Sequence, residues 1–285
     1  TMFFITAVSV ISKRTDECSR CLRTLTSVSP AAPVMVHTAR TSDSSGTGTR
    51  ASALYHQASP TAETALPDRP IRTVIIPAAG KGTRLLPATR MTAKELLPVY
   101  DRVVLDFAID EAVGMGAERI IVVISTEKVA IQAYLGGHAS SWQCSAPETV
   151  PDIIFVFQDL PRGLGHAVLC CKEVTLPGPF AVLLPDDLVF GSNCLDEMAA
   201  HYSGGHMIAA MQVGPEETSQ YGIFRLGGLP RDNCFPVSGM VEKPAPGNAP
   251  SSIAAVGRYI LDPGIFDTLK TTPCGRGGEV QLTDA

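Results

Sequence analysis

The chain has 285 residues, of which 45% are hydrophobic, and it can therefore bury one sizeable core or two modest ones. Its formal net charge of −5 argues against a general nucleic-acid-binding protein, because such proteins usually carry a basic face. No apolar run reaches the roughly 18–20 residues that cross a bilayer, and no basic residues precede the apolar opening TMFFITAVSVI as they would in a secretory signal.

Residues 1–70 differ in composition from the rest of the chain. They are dominated by Ser, Thr, Ala and Pro with scattered Arg, and the stretch TARTSDSSGTGTRASA has neither a helical nor a strand period. We interpret residues 1–70 as a largely disordered extension that precedes one folded domain over residues 71–285. A targeting peptide is compatible with the scarcity of acidic residues, but we favour an unstructured leader without a function.

Two pairs among the eight cysteines bear on metal binding and location. Cys18 and Cys21 form a CxxC pair, but no second pair at metal-ligand spacing follows, so a zinc site has little support. Cys170 and Cys171 are adjacent within an apolar stretch, which indicates buried thiols rather than disulfides. With no secretory signal in the sequence, we expect a cytoplasmic protein that does not contact a membrane.

From Ile71 onward, apolar runs typical of buried strands alternate with segments of helical period. Strands are predicted in IRTVIIPAAG, RIIVVIS, DIIFVFQ and FAVLLPDD, and helices in VLDFAIDEAVGMG, TEKVAIQAYLGG (with a stop at its glycines) and GLGHAVLCCKEV. After Met207 we predict strands in MIAAMQV, YGIFRLG, VSGMVEKP and AAVGRYIL, some of them antiparallel at one edge. The predicted fold is α/β: a Rossmann-like, mostly parallel mixed sheet with helices on both faces.

Polar and glycine residues cluster where the predicted strands end. They are Gly80 to Arg84, Gln158, Asp186, Asp187 and Glu242. Ligands of open α/β sheets bind beyond the carboxyl ends of the strands. The sequence therefore predicts one site assembled from distant segments.

The segment AAGKGTR after the first strand has features of a polyphosphate-binding loop. Its small residues let backbone N–H groups approach phosphate closely, and the fork of Arg84 can contact phosphate oxygens. Lys94 in AKELLP adds a compact positive charge. The loop fits neither GxxxxGK[ST] nor GxGxxG. A plain glycine turn would explain Gly80 and Gly82 but not the basic residues, although Lys94 alone could be a solvated surface lysine.

The segment QDLPRGLGHAV has features of a base-binding turn. Gln158 carries both a donor and an acceptor, which complement a pyrimidine edge, and Gly163 and Gly165 let a flat base lie against the backbone. His166 is a poor candidate for a general base, because attack by a phosphate needs no deprotonation. A structural histidine near the start of the helix is an equally good interpretation.

Two further segments place carboxylates at strand ends. LLPDD ends an apolar strand, and Mg²⁺ is usually held by one or two carboxylates together with substrate phosphates. Asp186 is our candidate ligand, with Asp187 behind it, although an acidic turn would explain either one. In VEKP, Glu242 can accept hydrogen bonds from sugar hydroxyls and Lys243 can neutralise a sugar phosphate, although an exposed ion pair would also fit.

Taken together, these segments resemble the bacterial UTP–glucose-1-phosphate uridylyltransferases of the sugar nucleotidyltransferase superfamily. PAAGKGTRLLPAT, KELLP, RGLGHAV, LLPDD, VEKP, VGRYIL and GGEVQLTDA occur in the family's order between about Ile71 and Ala285. GxGTR and EKP mark only the wider superfamily, whereas RGLGHAV and GGEVQLTDA resemble the uridylyltransferase branch. The family continues beyond this last segment, so we expect the chain to end within its catalytic domain.

The resemblance implies a nucleotide-diphospho-sugar transferase fold and the formation of UDP-glucose and pyrophosphate from UTP and glucose 1-phosphate, with Mg²⁺ as cofactor. It implies that Arg84, Lys94 and Lys243 are catalytic and that Asp186 binds the metal. The residues implied to bind the nucleotide are Ala79, Gly80, Gly82, Gln158 and Gly163. The residues implied to bind the sugar phosphate are Gly222, Glu242, Lys243, Val256 and Gly257. The resemblance also implies a homo-oligomer.

Two alternatives stay open at this point. A thymidylyltransferase, or another sugar-1-phosphate nucleotidyltransferase, would use the same superfamily motifs with a different base or sugar. A non-catalytic nucleotide-binding relative would keep the fold alone. The joint presence of Arg84, Lys94, Asp186 and Lys243 argues against the second alternative.

Overall fold

The computed structural model describes residues 71–138, 150–229 and 234–285, together with the backbone of one short strand at 35–38. Its strands are β1 Met35–Thr38, β2 Thr73–Pro77, β3 Pro98–Val99, β4 Arg102–Val103, β5 Arg119–Ile124, β6 Asp152–Phe157, β7 Phe180–Leu183, β8 His206–Gln212, β9 Gly222–Leu226, β10 Cys234–Glu242 and β11 Ile253–Leu261. Its helices are α1 Val104–Met115, α2 Val129–His138, α3 Leu164–Cys170, α4 Cys194–His201 and α5 Ile265–Thr271.

Nine of these strands form one mixed sheet in the order β6-β5-β2-β7-β11-β8-β1-β10-β9. The pairs β6–β5, β5–β2 and β2–β7 are parallel, as expected for strands joined by helical crossovers. The strand β11 pairs antiparallel with both β7 and β8, and β10 pairs antiparallel with β9. The predicted mixed α/β sheet is confirmed, and its antiparallel part makes up about half of the sheet rather than an edge.

Helices cover both faces of the sheet, and the sheet divides the core into two layers. One layer contains residues of α1, α2 and α4, including Ile109, Ile131 and Leu195. The other contains residues of α3 and α5, including Val168 and Phe266. Successive residues of β2 point alternately into the two layers, as the pleat of a strand requires. The continuous apolar runs of the sequence are therefore strands buried on both faces.

Some elements differ from the sequence prediction. The helix α2 continues through Gly136 and Gly137 to His138 instead of stopping at the glycines. Both glycines are exposed, and glycine lowers helix stability by only about 1 kcal/mol, so the prediction of a stop there was wrong. The helices α4 and α5 were not predicted. The N-cap of α4 could have been predicted, because Asn is a preferred N-cap residue. In the structure the Asn193 side chain accepts a hydrogen bond from the backbone N–H of Asp196 at 2.9 Å.

The expectation for residues 1–70 can be compared with the structure at one point only. The strand β1 lies in that segment and pairs parallel with β10 and antiparallel with β8. The interpretation of residues 1–70 as a largely disordered extension stays a prediction. The rest of residues 1–70, including Cys18 and Cys21, lies outside the described ranges. Of the adjacent cysteines, Cys171 is buried and Cys170 is partly buried.

The strand order creates a switch point beside β2. The chain runs from β2 outward to β5 and β6 and then returns to β7 on the other side of β2. Loops that leave neighbouring strands in opposite directions open a crevice at their carboxyl ends, where ligands of such sheets bind. The glycine loop follows β2 and Asp186 follows β7, so the fold brings these two segments to the same crevice.

A nearly buried ion pair fixes the chain beyond β7. Arg258 on β11 is 2% exposed, and its Nη2 donates to Glu111 Oε2 of α1 at 2.7 Å. Its Nη1 donates to the carbonyl oxygens of Asp187 at 2.6 Å and Leu184 at 3.2 Å. The guanidinium group of Arg258 therefore joins the helix α1, the strand β11 and the loop that carries Asp186.

We predict that Arg258→Met lowers the free energy of unfolding by about 3–5 kcal/mol, because it leaves the Glu111 carboxylate nearly buried without its partner. The measurement is denaturant unfolding of the whole chain. The matched control is Arg72→Met, which removes an exposed pair with Glu118 (N–O distance 2.7 Å) and should cost about 1 kcal/mol or less. Equal losses for both variants would contradict the prediction.

Candidate active site

The glycine loop leaves β2 in a defined conformation. The backbone N–H of Ala78 donates to Val123 O at 2.7 Å and so extends the pairing with β5. Gly82 has φ +65°, and a Cβ there would lie 3.2 Å from Thr89 Cγ2, so this position requires glycine. The Thr89 hydroxyl donates to Gly82 O at 2.8 Å. The following 3₁₀ turn holds Arg84 exposed at the mouth of the crevice.

Beneath the loop, four charged side chains form a continuous row. Lys128 Nζ donates to Ala78 O and to Glu95 Oε2, each at 2.7 Å. Lys94 Nζ lies 4.0 Å from Glu95 Oε1 and 2.9 Å from Asp186 Oδ2. The row thus runs Lys128, Glu95, Lys94, Asp186 and links the loop after β2 to the loop after β7.

Glu95 is the least accessible member of this row. It is fully buried at 0% exposure, and Oε1 has no hydrogen-bond partner among the residues that the structure describes. Burial raises the pKa of its carboxyl group, while the attraction of Lys128 opposes the rise. Burial likewise lowers the pKa of Lys128, and Glu95 opposes that fall. Each charge therefore depends on the other to stay ionised.

The two carboxylates of LLPDD have different surroundings. Asp186 faces the crevice and pairs with Lys94. Asp187 Oδ2 accepts a hydrogen bond from the backbone N–H of Gly257 at 3.0 Å. A Cβ at position 257 would lie 2.7 Å from that same oxygen, so the contact requires glycine. Asp187 therefore holds β11 against the loop and lines only the smaller cleft, whereas Asp186 lines both clefts.

The turn in QDLPRGLGHAV is closed by the segment GGEVQLTDA. The backbone N–H of Val280 donates to Arg162 O at 2.7 Å, and the N–H of Gly165 donates to Val280 O at 2.9 Å. Gly163 has φ +91°, and a Cβ there would lie 2.7 Å from Glu279 Cβ. The two motifs that resemble the uridylyltransferase branch, RGLGHAV and GGEVQLTDA, are therefore in direct contact.

Gln158 lies at the end of β6 and is 6% exposed. Its Nε2 donates to Gly163 O at 3.1 Å and lies 2.9 Å from His166 Nδ1. The amide is thus held by the turn and by the first helical turn of α3. Burial and the nearby charge of Arg162 lower the pKa of His166, which favours the neutral imidazole.

The predicted sugar-phosphate residues lie at the start of β9 (Gly222), at and just after the end of β10 (Glu242 and Lys243) and in the middle of β11 (Val256 and Gly257). Gly222 is paired with Glu242 across the sheet, and a Cβ there would lie 3.1 Å from Glu242 Oε2. Lys243 Nζ donates to Glu242 Oε1 at 2.7 Å. Lys243 has φ +45°, a costly left-handed conformation for a side chain of this size, and such strain is common at functional sites.

Two clefts run along the crevice and share a junction. The larger, about 590 Å³, is lined by the glycine loop, Lys94, Gln158 and Gly163. The smaller, about 300 Å³, is lined by residues of the sugar-phosphate side. Arg84, Leu184 and Asp186 line both. The junction therefore carries one cation and one carboxylate.

The structure brings all the predicted site residues to these two clefts. Those on the larger cleft are Ala79, Gly80, Gly82, Arg84, Lys94, Gln158, Gly163 and Asp186. Those on the smaller cleft are Arg84, Asp186, Gly222, Glu242, Lys243, Val256 and Gly257. Their individual roles stay predictions.

Sequence reasoning missed several residues that shape the site. Lys128 lies in TEKVAIQAYLGG, which was predicted to be a helix, and Glu95 lies in the motif KELLP. The two residues are 33 positions apart in the sequence, and their pairing was not predicted. Arg258 lies in a run read as a plain strand. The sequence signal for Arg258 was a charged residue inside an otherwise apolar run. Such a pattern indicates that the charge is paired, but it does not identify the partner.

The comparisons with known proteins agree with this architecture. The family model described as "Nucleotidyl transferase" matches residues 73–284. The chain therefore belongs to the nucleotidyl transferase family.

Two of its relatives carry the name UTP–glucose-1-phosphate uridylyltransferase. The chain is 37% identical over 231 residues to the UTP–glucose-1-phosphate uridylyltransferase YngB of Bacillus subtilis, covering 75% of this chain and 77% of that protein. It is 36% identical over 233 residues to the UTP–glucose-1-phosphate uridylyltransferase of Pseudomonas aeruginosa, covering 75% and 83%. A crystal structure of UDP-glucose pyrophosphorylase complexed with UDP-glucose superimposes with a TM-score of 0.69 at 34% identity, covering 75% of this chain and 84% of that one.

In the described ranges, no helix is both long enough and apolar enough to cross a bilayer. Nor do three or more His, Cys, Asp or Glu side chains in these ranges gather into a group that could hold a metal ion.

We predict that Lys128→Met destabilises the fold by about 3–5 kcal/mol near neutral pH, because the fully buried Glu95 loses its counter-charge. Without Lys128 the pKa of Glu95 rises further above its ordinary value of 4.5. The folded state then binds a proton that the unfolded state releases, so the loss should grow as the pH rises above that value.

The measurement for Lys128→Met is denaturant unfolding at several pH values. The matched control is Lys270→Met, which removes an exposed lysine 3.2 Å from Asp267 and should change stability little at any pH. A loss that is small, or that does not depend on pH, would show that the buried pair does not hold the loop.

Proposed function

We propose that the protein is a UTP–glucose-1-phosphate uridylyltransferase, which forms UDP-glucose and pyrophosphate from UTP and glucose 1-phosphate. The observation that carries this proposal is the junction of the two clefts. A nucleotide in the larger cleft and a sugar phosphate in the smaller one would meet at Arg84 and Asp186. The names of the curated relatives support the same reaction.

The reaction requires little from acid–base catalysis. A phosphate oxygen of glucose 1-phosphate forms a bond to the α-phosphorus of UTP, and the bond from that phosphorus to the bridging oxygen of the leaving group breaks. The electron pair leaves with pyrophosphate, and no proton has to move. The protein therefore contributes by aligning the reactants and by neutralising charge.

The phosphate groups would lie against the glycine loop. Backbone N–H groups near Gly80 and Gly82 can approach them closely, since neither residue has a side chain. Arg84 and Lys94 would bind the pyrophosphate oxygens, on which negative charge increases during the reaction. Lys94 is held in place by Glu95 and Asp186, so little reorganisation is needed when a phosphate arrives.

The sugar phosphate would lie in the smaller cleft. Glu242 can accept hydrogen bonds from sugar hydroxyls, and Lys243 can neutralise the attacking phosphate. Gly222 and Gly257 line this cleft, where the lack of a side chain lets Glu242 and Asp187, respectively, lie against the backbone of β9 and β11. On the nucleotide side, Ala79, Gln158 and Gly163 would hold the uracil base.

The junction fits Mg²⁺ as the cofactor. Asp186 offers a hard carboxylate oxygen, and Mg²⁺ is commonly held by one or two carboxylates plus substrate phosphates rather than by a protein cage. When bound, the ion would offset repulsion between the phosphate groups of the two substrates. The homo-oligomeric state and the cytoplasmic location expected from the sequence stay predictions.

We predict that the protein with Mg²⁺ consumes UTP and glucose 1-phosphate faster than any other pair in a panel of nucleoside triphosphates and sugar 1-phosphates. The measurement is release of pyrophosphate. Faster consumption of dTTP would assign the protein to the thymidylyltransferases. Binding without turnover for every pair would indicate a non-catalytic relative.

We predict that Asp186→Asn lowers turnover by at least about a hundredfold, with part of the loss recovered at high Mg²⁺, because the amide keeps the shape but removes the charge that would anchor the ion. The measurement is a Mg²⁺ titration of turnover. The matched control is Asp187→Asn, whose amide oxygen can still accept from Gly257 N–H, so it should keep an ordinary Mg²⁺ dependence. Wild-type metal dependence in Asp186→Asn would rule out Asp186 as the ligand.

A further inference from the structure

The side-chain amide of Gln158 makes its hydrogen bonds within the protein through its nitrogen, Nε2. An amide nitrogen carries two hydrogens and no acceptor capacity. One hydrogen is directed to Gly163 O, 3.1 Å from Nε2, and the other to His166 Nδ1, 2.9 Å from Nε2. The opposite orientation would place Gln158 Oε1 next to the Gly163 carbonyl oxygen, where two acceptors repel each other. Both N–H groups of the amide are therefore used within the protein.

This contact defines the state of His166. Since the amide nitrogen can only donate, Nδ1 must accept, and the neutral ring must carry its proton on Nε2. Two other titratable groups face the ring. Arg162 lies close enough to disfavour a second positive charge, and Cys170 Sγ lies 3.8 Å from Nδ1 and 3.9 Å from Nε2. Partial burial and the charge of Arg162 both favour the neutral form.

We infer that His166 is a positioning residue, which fixes the amide of Gln158 so that only the acceptor Oε1 is presented to the nucleotide base. This inference rests on the proposed binding of a uridine nucleotide in the larger cleft. It assigns a function to a histidine that the transfer reaction itself does not need.

The fixed acceptor selects a base with a donor at the matching position. Uracil carries a hydrogen on N3, so it can donate to Gln158 Oε1. Cytosine has an unprotonated N3, which is an acceptor and would face a second acceptor there. Thymine shares the imide N–H of uracil, so this contact separates uracil and thymine from cytosine and leaves the choice between UTP and dTTP to other contacts.

The test compares the dissociation constants of UTP and CTP, measured calorimetrically on the whole chain. His166→Ala removes the acceptor and frees one amide N–H. We expect the preference for UTP over CTP to fall roughly threefold to tenfold, as for the loss of one hydrogen bond. His166→Gln supplies a side-chain oxygen that can accept from Gln158, so it should largely restore the preference.

A pH profile separates positioning from a general structural role. Protonation of Nδ1 turns the acceptor into a donor that opposes the amide N–H groups. The preference of the wild type for UTP should therefore fall as the pH is lowered from about 8 to about 5.5, through and below the usual pKa range of histidine. In His166→Gln the preference should change only slightly, through partial protonation of cytosine N3 in CTP at about pH 5.5, so the larger change in the wild type reports on His166. UTP and CTP carry the same triphosphate, so its own titration cancels in the ratio.

The outcomes distinguish this inference from the proposed function. A wild type that binds neither nucleotide, or that prefers CTP, would overturn the proposed function. A wild type that prefers UTP, with the same preference in His166→Ala and no pH dependence, would overturn the inference alone. If His166→Ala does not fold, the pH profiles of the wild type and His166→Gln decide the question, because equal profiles would overturn the inference.

Discussion

The buried pair of Lys128 and Glu95 is the interaction on which the phosphate side of the site depends. Lys128 bonds both to the carbonyl of Ala78, where the glycine loop begins, and to Glu95, which comes directly after Lys94. Taking both charges out of water is costly, so the pair is weak evidence for stability by itself. Its effect is positional: if the loop moved away from Lys94, Lys128 would lose the Ala78 carbonyl as its second acceptor while it stayed beside the buried Glu95.

A second buried cation, Arg258, does the same for the opposite wall of the crevice. Its contacts with Glu111 and with the carbonyl of Asp187 fix the loop after β7. Asp187 adds a hydrogen bond to β11, which leaves Asp186 directed at the junction. Both walls of the crevice between β2 and β7 are thus held in place by side chains that do not line the larger cleft, namely Lys128, Glu95, Arg258 and Asp187. The side chains that do line this cleft remain available to contact a ligand.

Most of the sheet could be predicted because its strands are apolar on both faces and are separated by helical periods or glycines. The shared location of Gly80, Gln158, Asp186 and Glu242 was predictable because these residues lie at or just beyond strand ends, where the topology of an open sheet collects them. The stop of α2 at Gly136 was wrong, since solvent-exposed glycines are tolerated at a modest cost. The pairings of Lys128 with Glu95 and of Arg258 with Glu111 were not predictable, because a buried ion pair is set by tertiary contact and has no local sequence period.

The two sides of the nucleotide cleft are held by different physical means, and this difference has a consequence for specificity. The phosphate side relies on charges in a row from Lys128 to Asp186, which respond to any polyphosphate regardless of the base attached. The base side relies on neutral hydrogen bonds among Gln158, Gly163 and His166, which depend on the direction of each donor. Charge can therefore provide affinity for all nucleoside triphosphates, whereas the inferred discrimination between uracil and cytosine depends on the orientation of one amide. A change at His166 should alter which nucleotide is preferred more than how tightly the triphosphate is held.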